Sequence, residues 1–337
     1  MLESALRHEN NHTMDTLDRK ERYVNFYTDF AFKKFFGTEA NKDILISFLN
    51  SLFDGQEDVE DLEYLNVEQL GGSAVERKAV FDVYCRNKRG DRFLIEMQKA
   101  DQNFFKDRSL YYSTFPIQEQ AVKGDWNFRL DKVYTIGILN FTFDDSDPEY
   151  FHHEVKLMDT RTKEVFYDKL TYIYIEMPKF QKTEDELTTL FDRWLFAMKH
   201  LSTLDERPQA LQDAIFARLF EQAEIAKFST TEQRSYRESQ KDLRDLFSVK
   251  ETAENKGFTK GLVKGRAEGR AEGRAEGRAE GRAEGRKEGE AIGVEKGRAE
   301  GRAEGVLEVA KKLKAMGLPL DSIAQSTGLS KEEVSKL

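Results

Sequence analysis

Residues 78–98 read KAVFDVYCRNKRGDRFLIEMQ, two runs of alternating apolar and polar residues around the turn-forming segment NKRGD at 87–91. Side chains alternate between the faces of a strand, so Phe81, Val83 and Cys85 share one side of the first run and Phe93, Ile95 and Met97 one side of the second. One register brings both sets onto a single apolar face: with a five-residue loop, Arg86 opposes Arg92, Val83 opposes Ile95 and Asp82 opposes Glu96. A slip of one residue would turn each apolar set the wrong way. The register therefore predicts two carboxylates as cross-strand neighbours, their β-carbons about 4.5–5.5 Å apart. Gln98 lies two residues beyond Glu96 on the same face.

Neighbouring carboxylates repel, and a divalent cation that prefers hard oxygen ligands, magnesium or manganese, relieves that repulsion. Asp82 and Glu96 are accordingly the expected metal ligands, with Gln98 able to orient a water or a phosphate oxygen but not to take a proton as a lysine would. The hairpin alone leaves a second reading open, in which the acids face solvent and pair with Arg86, Arg92 or Lys99.

Working outward, dense apolar and aromatic sequence runs from Tyr23 to Phe247. The segment 30–52 places Phe32, Phe35, Phe36, Ile44, Leu45, Phe48, Leu49 and Leu52 at helical spacing, interrupted by Gly37. Strands are expected at 61–67, 78–86, 92–98 and 132–141, with a helix over 104–123, which gives the order α-β-β-β-α-β. Further strands at 153–158 and 170–177 and helices at 184–200, 208–226 and 231–246 follow. The fold class is α/β: a mixed sheet flanked by helices, carrying an α-rich extension. The expected divisions are a loose tail at 1–22, a core at 23–145, the extension at 146–250, a repeat tail at 251–305 and a terminal helical hairpin at 306–337.

In the tail a glycine recurs at every fourth position from Gly257 to Gly305, mostly as Gly-Arg-Ala-Glu units. Each glycine costs a helix roughly 1 kcal/mol relative to alanine, and like charges meet at i+4. Two readings stand: a marginal helix stabilised by self-association, making the chain a homo-oligomer, or a solvated linker. Beyond it, Gly317 and Gly328 punctuate three short helical patterns, and Ser330 with Glu333 has capping-box spacing. The spacing is that of a minimal helix-turn-helix, open to use as a groove reader or as a packing or dimerisation hairpin.

The chain has 337 residues, 39% hydrophobic, and a formal net charge of −9, so attraction to nucleic acid has to come from local basic groups or bound cations. Its single cysteine, Cys85, excludes an internal disulfide and fits a reducing compartment. No apolar run is long enough for a membrane span and the first twenty residues carry no signal-peptide core, so a cytoplasmic protein without membrane contact is expected.

The strand order, the acid on the second strand and Glu-x-Gln on the third resemble the PD-(D/E)xK nuclease superfamily. More narrowly, TDFAFKKFFG, FDVYC, IEMQ, FKDRSLYYSTFPIQEQAVKGDW and KVYTIGILNF are similar to the Rpn family of bacterial recombination-promoting nucleases, also described as transposases. The resemblance implies a metal-dependent DNA endonuclease in recombination or mobile elements, with Asp82 and Glu96 as the motif acids and Gln98 where the superfamily usually has lysine. Phe81 replaces the motif's proline. Asp29 matches a recurring acidic position and reads either as a metal ligand or as a helix N-cap. Lys33, Lys34 and Arg108 are the expected phosphate contacts, and Tyr112, Gln118 and Gln120 fall on the helix after the hairpin. The glutamine keeps a second function in view, a catalytically weak nuclease fold that binds DNA or assembles through its tail.

Overall fold

The computed structural model describes residues 21–66, 68–69, 79–101, 104–121, 127–143 and 147–337. The expected N-terminal tail lies outside these apart from its last two positions, as do the expected element ends at 67, 78 and 122–123 and the expected core boundary at 145. The chain divides into two compact units, one running to Glu251 and the other from Thr252 to Leu337.

The first unit is built on a six-stranded sheet. Strands β1 (Leu62–Tyr64), β4 (Val83–Asn87), β5 (Arg92–Gln98), β6 (Val133–Leu139), β7 (His152–Met158) and β8 (Val165–Glu176) lie in the order β1-β4-β5-β6-β8-β7, while β2 (Glu68–Gln69) and β3 (Ala79–Val80) form a separate ribbon. Neighbours β1, β4 and β5 are antiparallel, β5, β6 and β8 run parallel, and β7 returns antiparallel along the edge. A parallel step needs a crossover, and helix α3 (Phe105–Gln118) supplies it between β5 and β6.

The hairpin register is the one the apolar alternation requires: Val83 opposes Ile95, Cys85 opposes Phe93 and Arg86 opposes Arg92. Val83, Cys85, Phe93, Ile95 and Met97 pack into the main core with Ile136, Ile138, Ile173 and Ile175 from the next strands. Helices α1 (Asp29–Phe36), α2 (Lys42–Phe53), α4 (Leu190–His200) and α5 (Ala214–Ala223) contribute Phe32, Phe48, Trp194 and Phe216 to that core. Phe81 does not share this face: β4 begins at Val83, the chain bends at Asp82, and Phe81 is turned to the opposite face, where it packs with Tyr84, Leu94, Tyr112 and Phe115. That opposite face is covered by α3, so the sheet is buried on both sides.

The expected helix at 184–200 is a 3-10 turn (Glu184–Glu186) followed by α4, which opens on a capping box between Thr189 and Asp192. The expected strand at 170–177 starts earlier, at Val165, because it extends as a hairpin with β7. The last helix of this unit does not stop near 246: α6 runs from Thr230 to Ala315, and the division between the units falls within it. All thirteen repeat glycines lie in α6, and a β-carbon at any of them would meet nothing within 4 Å. In the second unit Ala310 at the end of α6, Ile323 of α7 (Leu320–Thr327) and Val334 of α8 (Lys331–Lys336) bury one another. Gly317 and Gly328 take the left-handed backbone that ends a helix, and the Ser330–Glu333 capping box is formed.

Candidate active site

The acids of the hairpin come together by a route that differs from simple strand pairing. Asp82 sits in the bend just before β4 and so is not a ladder residue; its Oδ2 accepts the Met97 N–H at 3.0 Å, which ties it across to the strand that carries Glu96. Parity places Glu96 and Gln98 on the α3 face, and Glu96 is only 9% exposed. The solvent-facing reading of the pair is thereby overturned for Glu96. Across the sheet Glu96 is level with Gly137 and then Tyr174. A β-carbon at Gly137 would lie 3.1 Å from the Tyr174 ring and 3.3 Å from the Leu139 side chain, so the glycine leaves room for these neighbours beside Glu96, with Phe105 of α3 in ordinary contact at 3.4 Å.

Burial without neutralisation leaves a clear electrostatic signature. The Glu96 carboxyl is pushed up to about 7, first by burial and then by the charge of Asp82, against smaller opposing effects of Arg108 and of the Gln98 hydrogen bond. Asp82 is raised too, by burial and by the nearby charge of Asp29, with the Met97 N–H, Lys33 and Lys99 acting the other way. Gln98 Nε2 donates to Glu96 Oε2 at 3.2 Å, and Arg108 Nη2 stands 3.8 Å from the same oxygen. The Arg108 guanidinium is flanked by the rings of Phe105 and Tyr112, at 5.5 and 5.8 Å.

Asp29 is not an N-cap: Thr28 caps α1, its Oγ1 accepting from the Ala31 N–H, and Asp29 is the first helical residue. Its exposed carboxylate pairs with Lys99 and stands 4.0 Å from Lys33. Lys99, which the sequence offered as a partner for the hairpin acids, is thus the link between Asp29 and the end of β5. Lys33 is on the site's side of α1. Lys34 is not, since it pairs with Glu232 at 2.5 Å and lies over the Phe228 ring. Gln118 is exposed, and Gln120 has a structural role, donating to the Pro116 carbonyl and accepting the Asp131 N–H. Tyr112 is half-buried against Phe81, close enough to the site for Glu96 and Asp82 to raise its phenol after burial.

Sequence reasoning missed Tyr174 and Gly137, which frame Glu96 only because β6 and β8 happen to be its sheet neighbours. It also missed the Met97 N–H as the anchor of Asp82. Among the described residues no cluster of three or more histidine, cysteine or acidic side chains is arranged to hold a metal; at the hairpin the fold brings two acids, Asp82 and Glu96, close enough for the charge of one to act on the other. A cavity of about 630 Å³ opens elsewhere, between α2 and α4, but its Glu57 is paired with Lys132 and its Glu154 with Lys156. The hairpin, where Glu96 lacks such a close cationic partner, is therefore the candidate site.

No helix among the described residues is long and apolar enough to cross a membrane. No curated protein and no solved structure matches the chain. A family model, described as PD-(D/E)XK nuclease family transposase, matches residues 26–253 and so takes in the sheet, α3 and the acid pair. With an acid pair on a β-hairpin, a glutamine two residues on and a mixed sheet between helical layers, the chain belongs to the PD-(D/E)XK nuclease family transposases.

Proposed function

We propose that this protein is a divalent-metal-dependent DNA endonuclease that serves recombination or element movement in the bacterial cytoplasm. The observation that carries the reading is the pairing of half-buried Asp82 with buried Glu96, two carboxylates with too little positive charge to keep Glu96 ionised much below pH 7. That donor set fits magnesium or manganese, which are commonly held by one or two carboxylates and complete their shell with water and phosphate oxygens. Such an ion, when bound, polarises a phosphodiester and activates water for attack.

The chain's own groups do the rest. Asp82 is aimed by the Met97 N–H, and Gln98 holds the Glu96 carboxylate in orientation through its amide. Arg108 and Lys33, both beside the acids, are the groups we propose to meet phosphate. Lys34 is spent on Glu232 and drops out of that role. Asp29 stands as an outer acid whose charge is shared with Lys99 and felt at Asp82, which suits it to support the metal from outside the pair.

Supercoiled plasmid incubated with the protein and magnesium or manganese is expected to be nicked and linearised. D82A and E96A should each lower the rate by about 10³-fold, the scale of losing several kcal/mol of charge stabilisation. Cleavage that survives D82A would refute the assignment.

A further inference from the structure

The six-stranded sheet has two unequal edges. One is β1, three residues long, and the other is β7, seven residues long. Exposed edges are templates for pairing with another chain, and proteins commonly blunt them by shortness or charge. On β7 the apolar side chains Val155, Leu157 and Met158 are 47%, 50% and 49% exposed. The Phe151 carbonyl accepts the Glu176 N–H at 2.8 Å, so Phe151, His153 and Val155 turn their backbone groups toward β8. By the antiparallel alternation His152, Glu154 and Lys156 turn theirs outward, where no described strand meets them.

We propose that β7 pairs antiparallel with β7 of a second copy of this chain, about a two-fold axis through Val155. In such a pairing outward-directed residues must oppose outward-directed residues, which limits the registers near the strand centre. An axis at Glu154 sets that residue against its own copy, and an axis at Lys156 does the same for the lysine; both place like charges directly opposite, which destabilises a strand pair. The axis at Val155 sets Glu154 against the partner's Lys156 and Lys156 against the partner's Glu154. It also sets Val155 against its own copy. All these residues lie in the regular part of β7, before the irregularities that follow Lys156. Glu154 and Lys156 already pair along the strand, so the dimer joins two such pairs into one array of alternating charge.

The result is a continuous twelve-stranded sheet. Because the axis is perpendicular to it, both α3-covered faces lie on the same side, and the two acid pairs are separated by seven strand spacings, about 34 Å at ~4.8 Å each. That is close to one turn of duplex DNA. This last correspondence rests on the nuclease reading; the strand pairing does not.

The test uses the full chain carrying V155C, since the native Cys85 is buried. Mild oxidation should yield a disulfide-linked dimer on a non-reducing gel. L157C should not, because its two copies would lie about 13 Å apart, beyond disulfide reach. Adding K156E to V155C, which sets acid against acid, should lower the cross-linked fraction at least about fivefold, and E154K with K156E together should restore it. Equal cross-linking at both positions, none at either, or indifference to K156E would overturn the proposal. The readout requires no cleavage, and association through the C-terminal helices would not reproduce its positional preference.

Discussion

Two glutamates lie on the same face of the sheet, two strands apart, and are treated in opposite ways. Glu176, at the end of β8, is fully buried and richly supplied: it accepts from the Phe143 N–H at 3.2 Å, and meets His153 at 3.1 Å and Lys179 at 2.6 Å. Glu96 has nearly the same burial but, among the described residues, only the Gln98 amide at 3.2 Å and a guanidinium at 3.8 Å, with a second acid beside it. A carboxylate that holds structure together is given its donors by the fold. One left short of donors, as Glu96 is, holds its proton more tightly, which is the setting in which we propose that it takes a cation.

The comparison can be broken most forcefully at Glu176. Removing one partner of a buried ionic group leaves the others uncompensated, so E176Q should lower unfolding stability by about 3–5 kcal/mol, read by urea denaturation. Below its melting transition it should still cleave plasmid at near the wild-type rate. A loss of cleavage in folded E176Q would mean that the two glutamates are not functionally distinct.

At Glu96 the sign reverses. Its carboxyl is raised from 4.5 to about 7 in the fold, so ionising it opposes folding: the penalty is absent below about pH 4.5 and complete once the pH has risen through 7. Metal-free E96Q is therefore expected to be more stable than wild type above pH 7, by on the order of 2–3 kcal/mol, with the gain vanishing near pH 4.5. Melting temperatures across that range, measured with chelator present, decide it; a destabilised E96Q at pH 8 would contradict the account.

A smaller effect is expected at Gln98. Q98K sets a cation where only an amide now reaches Glu96, and an adjacent opposite charge favours the ionised acid. Cleavage is expected to rise with pH as Glu96 ionises, and in Q98K that rise should move about one pH unit lower, while an unchanged profile would show that residue 98 does not sense Glu96.

The sequence carried the hairpin well because a period of two with both apolar sets intact leaves one workable register. It placed Phe81 on the wrong face because a bend at Asp82 resets parity, and nothing in FDV marks that bend. Burial of Glu96 was hidden for another reason: the cover comes from α3, which packs Phe105, Arg108 and Tyr112 over that face, and no pattern within the strand reports it. Lys34 was misplaced because its partner, Glu232, is 198 residues away and belongs to a helix whose docking no local pattern reports. Thr28 was legible as a cap in hindsight, since it immediately precedes the helix and threonine is a favoured N-cap.

The most direct test of the central claim is calorimetric titration of manganese into the full chain at pH 7.5, wild type beside E96Q. A binding isotherm is expected for wild type and a loss of affinity of at least about tenfold in E96Q, since one of the two proposed carboxylate ligands is gone. Equal manganese affinity in the two proteins would contradict the assignment of Asp82 and Glu96 as the metal site.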